Sequence, residues 1–236
     1  MIYVKQFGLK RSGTNAARWL LEQNFRDVRV LADVMGWKHG PPRLSPTWNP
    51  SEWYPEHAKP IVMPLPAGMI ADVKRQAAAG EIRFHLIVKN PYAWIVSSLR
   101  WKGIRIEAAT EAIVRARAKH WIKRGYEYLD FAEAAEAAGV PCVLSDSGSL
   151  FERIEVIGRE LRLERARTVW VRPPRVFRPT GDLRAGDAMM HKKPYDDSYY
   201  RDARYMDEIP DATLAWINEE LNHHVVGWLG YRITER

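Results

Sequence analysis

The chain has 236 residues, 46% of them hydrophobic, a formal charge of +7 and a pI of about 9.5. That length suits one sizeable α/β core, so a single domain over residues 1–236 is expected. No apolar run approaches the roughly 20 residues a membrane helix needs, one cysteine (Cys142) excludes an intrachain disulfide framework, and the 36 Lys+Arg against 29 Asp+Glu favour an anionic partner without choosing its class. The N-terminus carries no charged-then-apolar leader, and a cytoplasmic location with no membrane partner is the expectation.

Residues 2–7 read as a short buried strand and residues 16–23 as a helix. Between them Gly8-Leu9-Lys10-Arg11-Ser12-Gly13-Thr14-Asn15 forms a compact turn holding two glycines, two cations and two hydroxyls. A glycine turn between a strand and a helix N-terminus suits a phosphate, because the first helical N–H groups lack partners and the dipole is positive there. The spacing is close to a Walker A loop, G-x-x-x-x-G-K-[ST], but Thr14 follows Gly13 at once and the intervening lysine is missing. A basic helix start that binds nothing is the plainer alternative.

Residues 28–32 read as a second strand, and strand–helix–strand implies a parallel sheet. Lys38 and His39 follow just beyond that strand's carboxyl end, where open α/β sheets take their ligands. A histidine there serves as a general base near neutral pH or is a plain loop residue. Residues 41–66 are rich in Pro, Trp and Ser and read as a long loop, with a possible strand at 61–63 and His57 as ordinary surface. The ten tryptophans wall a cleft or pin loops.

Residues 67–79 carry a helical pattern stopped by Gly80. Residues 83–88 read as a central strand containing His85 as a packed residue. Lys89 closes it, and Asn90-Pro91 opens a helix that carries Ser97 and Arg100. A strand-end cation followed by a helical hydroxyl makes a second anion site on the same sheet edge. Residues 105–138 read as a solvated outer helix with alternating charge, broken at Gly125. A strand over 140–144 holding an inert Cys142, a helix over 150–163, and a short strand at 168–171 come next. Residues 172–194 form a basic loop that closes over an anion, binds nucleic acid or merely solubilises. C-terminal helices end at Gly230. The adjacent His223 and His224 lack metal-ligand spacing, and no metal site is expected.

Two of these motifs make the chain resemble the sulfotransferases that use 3′-phosphoadenosine 5′-phosphosulfate (PAPS). Arg11-Ser12-Gly13-Thr14 is similar to the family's K/R-S-G-T loop for the 5′-phosphosulfate. Lys89-Asn90-Pro91-Tyr92-Ala93-Trp94-Ile95-Val96-Ser97 is similar to its R-[DN]-P-x-x-x-x-x-S segment for the 3′-phosphate, with lysine for arginine. Asp197-Ser198-Tyr199-Tyr200 through Tyr231 resembles the family's closing run. The chain departs where Ala16 stands in place of a tryptophan that stacks on adenine, so Trp19 or Trp94 would have to supply that contact. It departs again at Leu144-Ser145-Asp146-Ser147-Gly148, where R-Y-E-D-L is common.

The resemblance implies a three-layer, mostly parallel α/β sheet with helices on both faces, like that of the P-loop NTPases. It implies PAPS as co-substrate, held by Lys10, Arg11, Ser12, Gly13, Thr14, Asn15, Lys89 and Ser97. Arg11 neutralises charge on the transferring group, His39 takes the acceptor's proton and Lys38 assists at the sulfuryl group, with no metal required. Loops 37–66 and 172–194 become lid or substrate segments around a small-molecule or glycan acceptor. The rivals are a P-loop nucleotide or small-molecule kinase with Asp33 as its Mg²⁺ carboxylate and, ranked last, a basic nucleic-acid-binding protein.

Overall fold

The structure, a computed structural model, describes residues 1–45, 48, 67–173, 177–178, 189–190 and 198–235. Four strands, β1 (Ile2–Gly8), β2 (Val28–Leu31), β3 (Arg83–Val88) and β4 (Cys142–Asp146), form an all-parallel sheet in the order β2-β1-β3-β4. Around it run α1 (Thr14–Asn24), α2 (Ala67–Ala78), α3 (Pro91–Trp101), α4 (Glu111–Ala137), α5 (Ile154–Glu160), α6 (Ser198–Arg201), α7 (Asp211–Glu220) and α8 (His223–Trp228). A two-residue antiparallel pair, β5 (Phe177–Arg178) with β6 (Met189–Met190), lies within the basic loop.

The strands alternate between two apolar layers, as a sheet covered on both faces must. Tyr3, Phe7, Leu31, Phe84, Leu86 and Val88 face one layer, packed with α2, α3, α4, α7 and α8. Val4, Val30, Ile87 and Val143 face the other, packed with α1 and α5. Each such fully buried side chain contributes about 1.5–3 kcal/mol. This is the expected α/β sandwich of helix, sheet and helix.

Polar side chains inside β1 shape the site above it. Lys5 is fully buried and donates from Nζ to the carbonyls of Ala32, at 3.0 Å, and Gly36. It therefore pins the chain leaving β2. Gln6 donates to the Thr14 carbonyl at 2.9 Å, tying the strand to the first turn of α1. Helix α3 starts where Pro91 supplies the first turn and the Asn90 side chain accepts from the backbone N–H groups of Tyr92 (3.1 Å) and Ala93 (3.4 Å).

Several sequence expectations shift. Gly125 does not break α4, which runs unbroken from Glu111 to Ala137. Its missing side chain lets α8 approach, since a Cβ there would lie 2.4 Å from Val225 Cγ1. The same helix is not simply solvated: Val114, Ala118, Trp121, Tyr128 and Phe131 form a buried stripe at helical spacing. β4 begins at Cys142 rather than at 140, and the 150–163 helix contracts to α5 behind an irregular turn. Residues 168–171 form no strand; Trp170 packs its ring on Phe25 instead, at 5.5 Å between centroids. The possible strand at 61–63, His57 and most of the basic loop lie outside the described residues.

No helix among the described residues is long and apolar enough to cross a membrane.

Candidate functional site

The loop between β1 and α1 folds on itself. Both the backbone N–H and the hydroxyl of Ser12 donate to the Leu9 carbonyl, at 3.0 and 2.7 Å. Ser12 therefore spends both donors inside the turn. Arg11 takes a left-handed φ of 73°, which leaves its side chain exposed at the mouth of the loop. Gly13 caps α1 at φ 86°, no side chain caps the helix and no acid sits in its first turn. The helix N-terminus thus presents its dipole and amides to the loop's interior. Gly8 is required by contact: a Cβ there would lie 2.7 Å from both Ser12 Oγ and Thr14 Cγ2.

The segment after β2 docks against this loop. Gly8 N–H donates to the Lys38 carbonyl at 2.8 Å, and Lys38 Nζ donates to Asn15 Oδ1 at 2.8 Å. His39 Nδ1 lies 2.6 Å from the Gly8 carbonyl oxygen. A carbonyl only accepts, so Nδ1 carries the proton and Nε2 is left as the ring's acceptor. Burial, with Lys38 next in effect, pushes the His39 pKa down to about 3, which keeps the ring neutral.

Lys89 ends β3 on the same edge and is only 4% exposed. It donates to Tyr200 Oη at 2.9 Å and reaches the Arg11 carbonyl at 3.5 Å. Burial above all, and then the charge of Arg11, lower its pKa to about 7, while Asp146 pulls the other way. Asp146, at the end of β4, accepts from the Gly148 N–H at 3.0 Å and from the Tyr231 hydroxyl. The carboxyl ends of β1, β3 and β4 are thereby held together by the loop, α6 and the C-terminal segment.

A cavity of about 310 Å³ opens beside the phosphate-loop candidate. Lys10, Arg11 and His39 line it, joined by Trp94, Ser98 and Trp101 from α3 and by Arg117, His120 and Arg124 from α4. Lys10 Nζ sits 4.7 Å from the Trp37 ring centroid and 5.7 Å from that of Trp101, within the range of cation–π attraction. Trp94 donates its indole N–H to the Lys10 carbonyl at 2.8 Å. Ala16 lines a separate small crevice with Phe151, Pro173 and Arg172.

Among the expected site residues, the fold gathers Lys10, Arg11, Ser12, Gly13, Thr14, Asn15, Lys38, His39 and Lys89 around one sheet edge. Ser97 is half-buried on α3, one position off the face that turns Trp94, Ser98 and Trp101 toward the cavity. Asp33 is buried where the chain leaves β2. The pattern reading missed Tyr200 as the partner of Lys89, and missed Arg117, His120 and Arg124. Their i, i+3, i+7 spacing along α4, beside the Val114–Trp121 stripe, was the available signal. No family model matches the chain, and no curated protein or solved structure matches it either.

Proposed function

We propose that the protein is a sulfotransferase that moves a sulfuryl group from PAPS to the hydroxyl or amine of a small acceptor, on a P-loop-like core. One observation carries the reading. Two neighbouring parallel strands each end in a cation, Arg11 after β1 and Lys89 after β3, close enough for Lys89 Nζ to reach the Arg11 carbonyl at 3.5 Å. Beside them stands a neutral imidazole, half-buried, whose free nitrogen is set by the Gly8 contact. Cations at two adjacent strand ends, plus a base, suit a donor carrying two phosphate groups.

PAPS supplies the sulfuryl group. Arg11, with the amides of Gly13 and Thr14, holds the 5′-phosphosulfate, and Lys89 holds the 3′-phosphate. In the transfer the acceptor oxygen forms its bond to sulfur while the bond from sulfur to the bridging phosphate oxygen breaks. That electron pair stays on the phosphate, where Arg11 and Lys38 offset the charge. The acceptor's proton passes to His39 Nε2. Burial lowers His39 most, and an anionic donor close to Lys38 and Lys10 offsets the smaller share their charges add, so the imidazole becomes more basic once the site is loaded.

The test is calorimetric binding of 3′-phosphoadenosine 5′-phosphate (PAP) to the full chain, against 5′-AMP and ATP–Mg²⁺. PAP is expected to bind at least about tenfold tighter than 5′-AMP, since one charge-assisted phosphate contact is worth that much. Equal affinity for PAP and 5′-AMP, or preference for ATP–Mg²⁺, overturns the reading.

A further inference from the structure

The cavity beside the phosphate-loop candidate has an unbalanced charge. Its described lining includes Lys10, Arg11, Lys102, Arg117 and Arg124 and no carboxylate. Arg124 is paired with Glu127 at 2.7 Å, one turn along α4. Arg124 has a second duty, donating to the His39 carbonyl at 3.3 Å. Lys10 and Arg11 belong to the donor loop. The remaining cations of the lining are Lys102 at the end of α3 and Arg117 on α4.

Arg117 is half-buried, and Lys102 is exposed at the end of α3. α4 carries many ion pairs, and Arg115 alone meets Glu111, Glu219 and Glu220. Arg117, two residues on, is turned instead into the cavity beside His120. Lys102 lies over the exposed Trp101 ring at 4.9 Å. The His120 pKa is lowered by burial first and by the charges of Arg124 and Arg117 next, and burial also leads at His39, with Lys38 and Lys10 adding to it. Burial leads at both rings, and the cations around the cavity add a positive field to it. Such a field concentrates anions and disfavours cations, and it is strongest in a concave, partly apolar site. The walls are indole rings, which suit the body of a flat or ring-shaped molecule. A volume of about 310 Å³ falls at the small end of the ~300–1,000 Å³ typical of ligand pockets, which fits a single small molecule.

We infer that the acceptor is a small ring-bearing anion, with a carboxylate, phosphate or sulfate held by Lys102 and Arg117 and its reacting hydroxyl or amine directed to His39. This rests on the transferase reading for the role of the site but not for the charge preference. It also resolves the apparent conflict between aromatic and cationic walls: the rings take the body and the cations take its charged end.

The test uses two fluorescent probes of the same shape, 6-hydroxy-2-naphthoate and its uncharged amide, 6-hydroxy-2-naphthamide, titrated into the full chain saturated with PAP. The naphthoate is expected to bind about tenfold tighter than the amide. Arg117→Gln or Lys102→Gln removes most of that difference, Arg117→Lys retains it, and PAP affinity stays unchanged in all three. Equal binding of the two probes, tighter binding of the amide, or binding of neither overturns the inference. Loss of PAP binding with the naphthoate preference intact, measured without PAP, sinks the donor assignment alone. Unimpaired PAP binding with no charge preference sinks this inference alone.

Discussion

Lys89 donates to the phenol oxygen of Tyr200 at 2.9 Å, with its ammonium 4.0 Å from the centre of the same ring. A phenol orients the ammonium without neutralising it, and burial then lowers the Lys89 pKa to about 7. The lysine is thus about half protonated at neutral pH. An anion bound beside it pulls the proton on.

PAP binding is therefore expected to take up about half a proton at pH 7 and to weaken as pH rises from 7 toward 9. Lys89→Arg, which carries a charge at every accessible pH, flattens the profile, and Lys89→Gln is weak throughout. Calorimetry in buffers of different ionisation enthalpy reads both the uptake and the slope. A pH-independent wild type with no proton uptake refutes the assignment.

Acid weakens the fold through its buried histidines. His85 is buried in β3 with Nε2 2.9 Å from Ser145 Oγ, and burial lowers its pKa to about 3, as it does for His39. Both have folded values below the ordinary 6.5, so the unfolded chain binds more protons between those values. The histidine contribution to stability is full above pH 6.5 and falls as pH drops toward 3, by up to about 1.4 kcal/mol per pH unit for each histidine. Urea melts at a series of pH values give this slope, and His85→Gln is expected to reduce it to the share of His39.

Arg11 combines a charge proposed to meet the transferring group with a strained backbone, at φ 73°. Arg11→Ala is expected to cost about 10²–10³ in kcat/KM if the guanidinium meets the developing charge. Arg11→Gly loses as much activity yet raises the melting temperature, because relief of a left-handed non-glycine residue is worth about 1 kcal/mol. Full turnover in Arg11→Ala would remove this residue from the chemistry.

Gly125 marks a helix crossing. Gly125→Ala puts a methyl 2.4 Å from Val225 Cγ1, and the clash is expected to cost about 1–3 kcal/mol. Glu133→Ala, at an exposed position of the same helix, stays within about 0.5 kcal/mol. Thermal unfolding of the two variants compares them directly.

Much of this protein is legible along the chain. The apolar runs of β1, β2 and β3, the glycines at 8 and 13 and the Asn90-Pro91 helix start are local signals, decided by backbone sterics and by the next few residues. They place Arg11 and Lys89 at strand ends and make the two proposed anion sites readable by spacing. Tertiary structure decided what spacing does not encode. It spent both Ser12 donors on Leu9, turned Ser97 away from the cavity and brought Tyr200 to Lys89 across 111 positions. It used Gly125 for an approach by α8 rather than for a break. It also turned Arg117 and Arg124, which read as solvated charges in an alternating run, into the wall of a basic cavity. A charge on a helix has the same local signature whichever way it faces; only the packing of α4 against α3 and the loops sets which charges meet water and which meet a ligand.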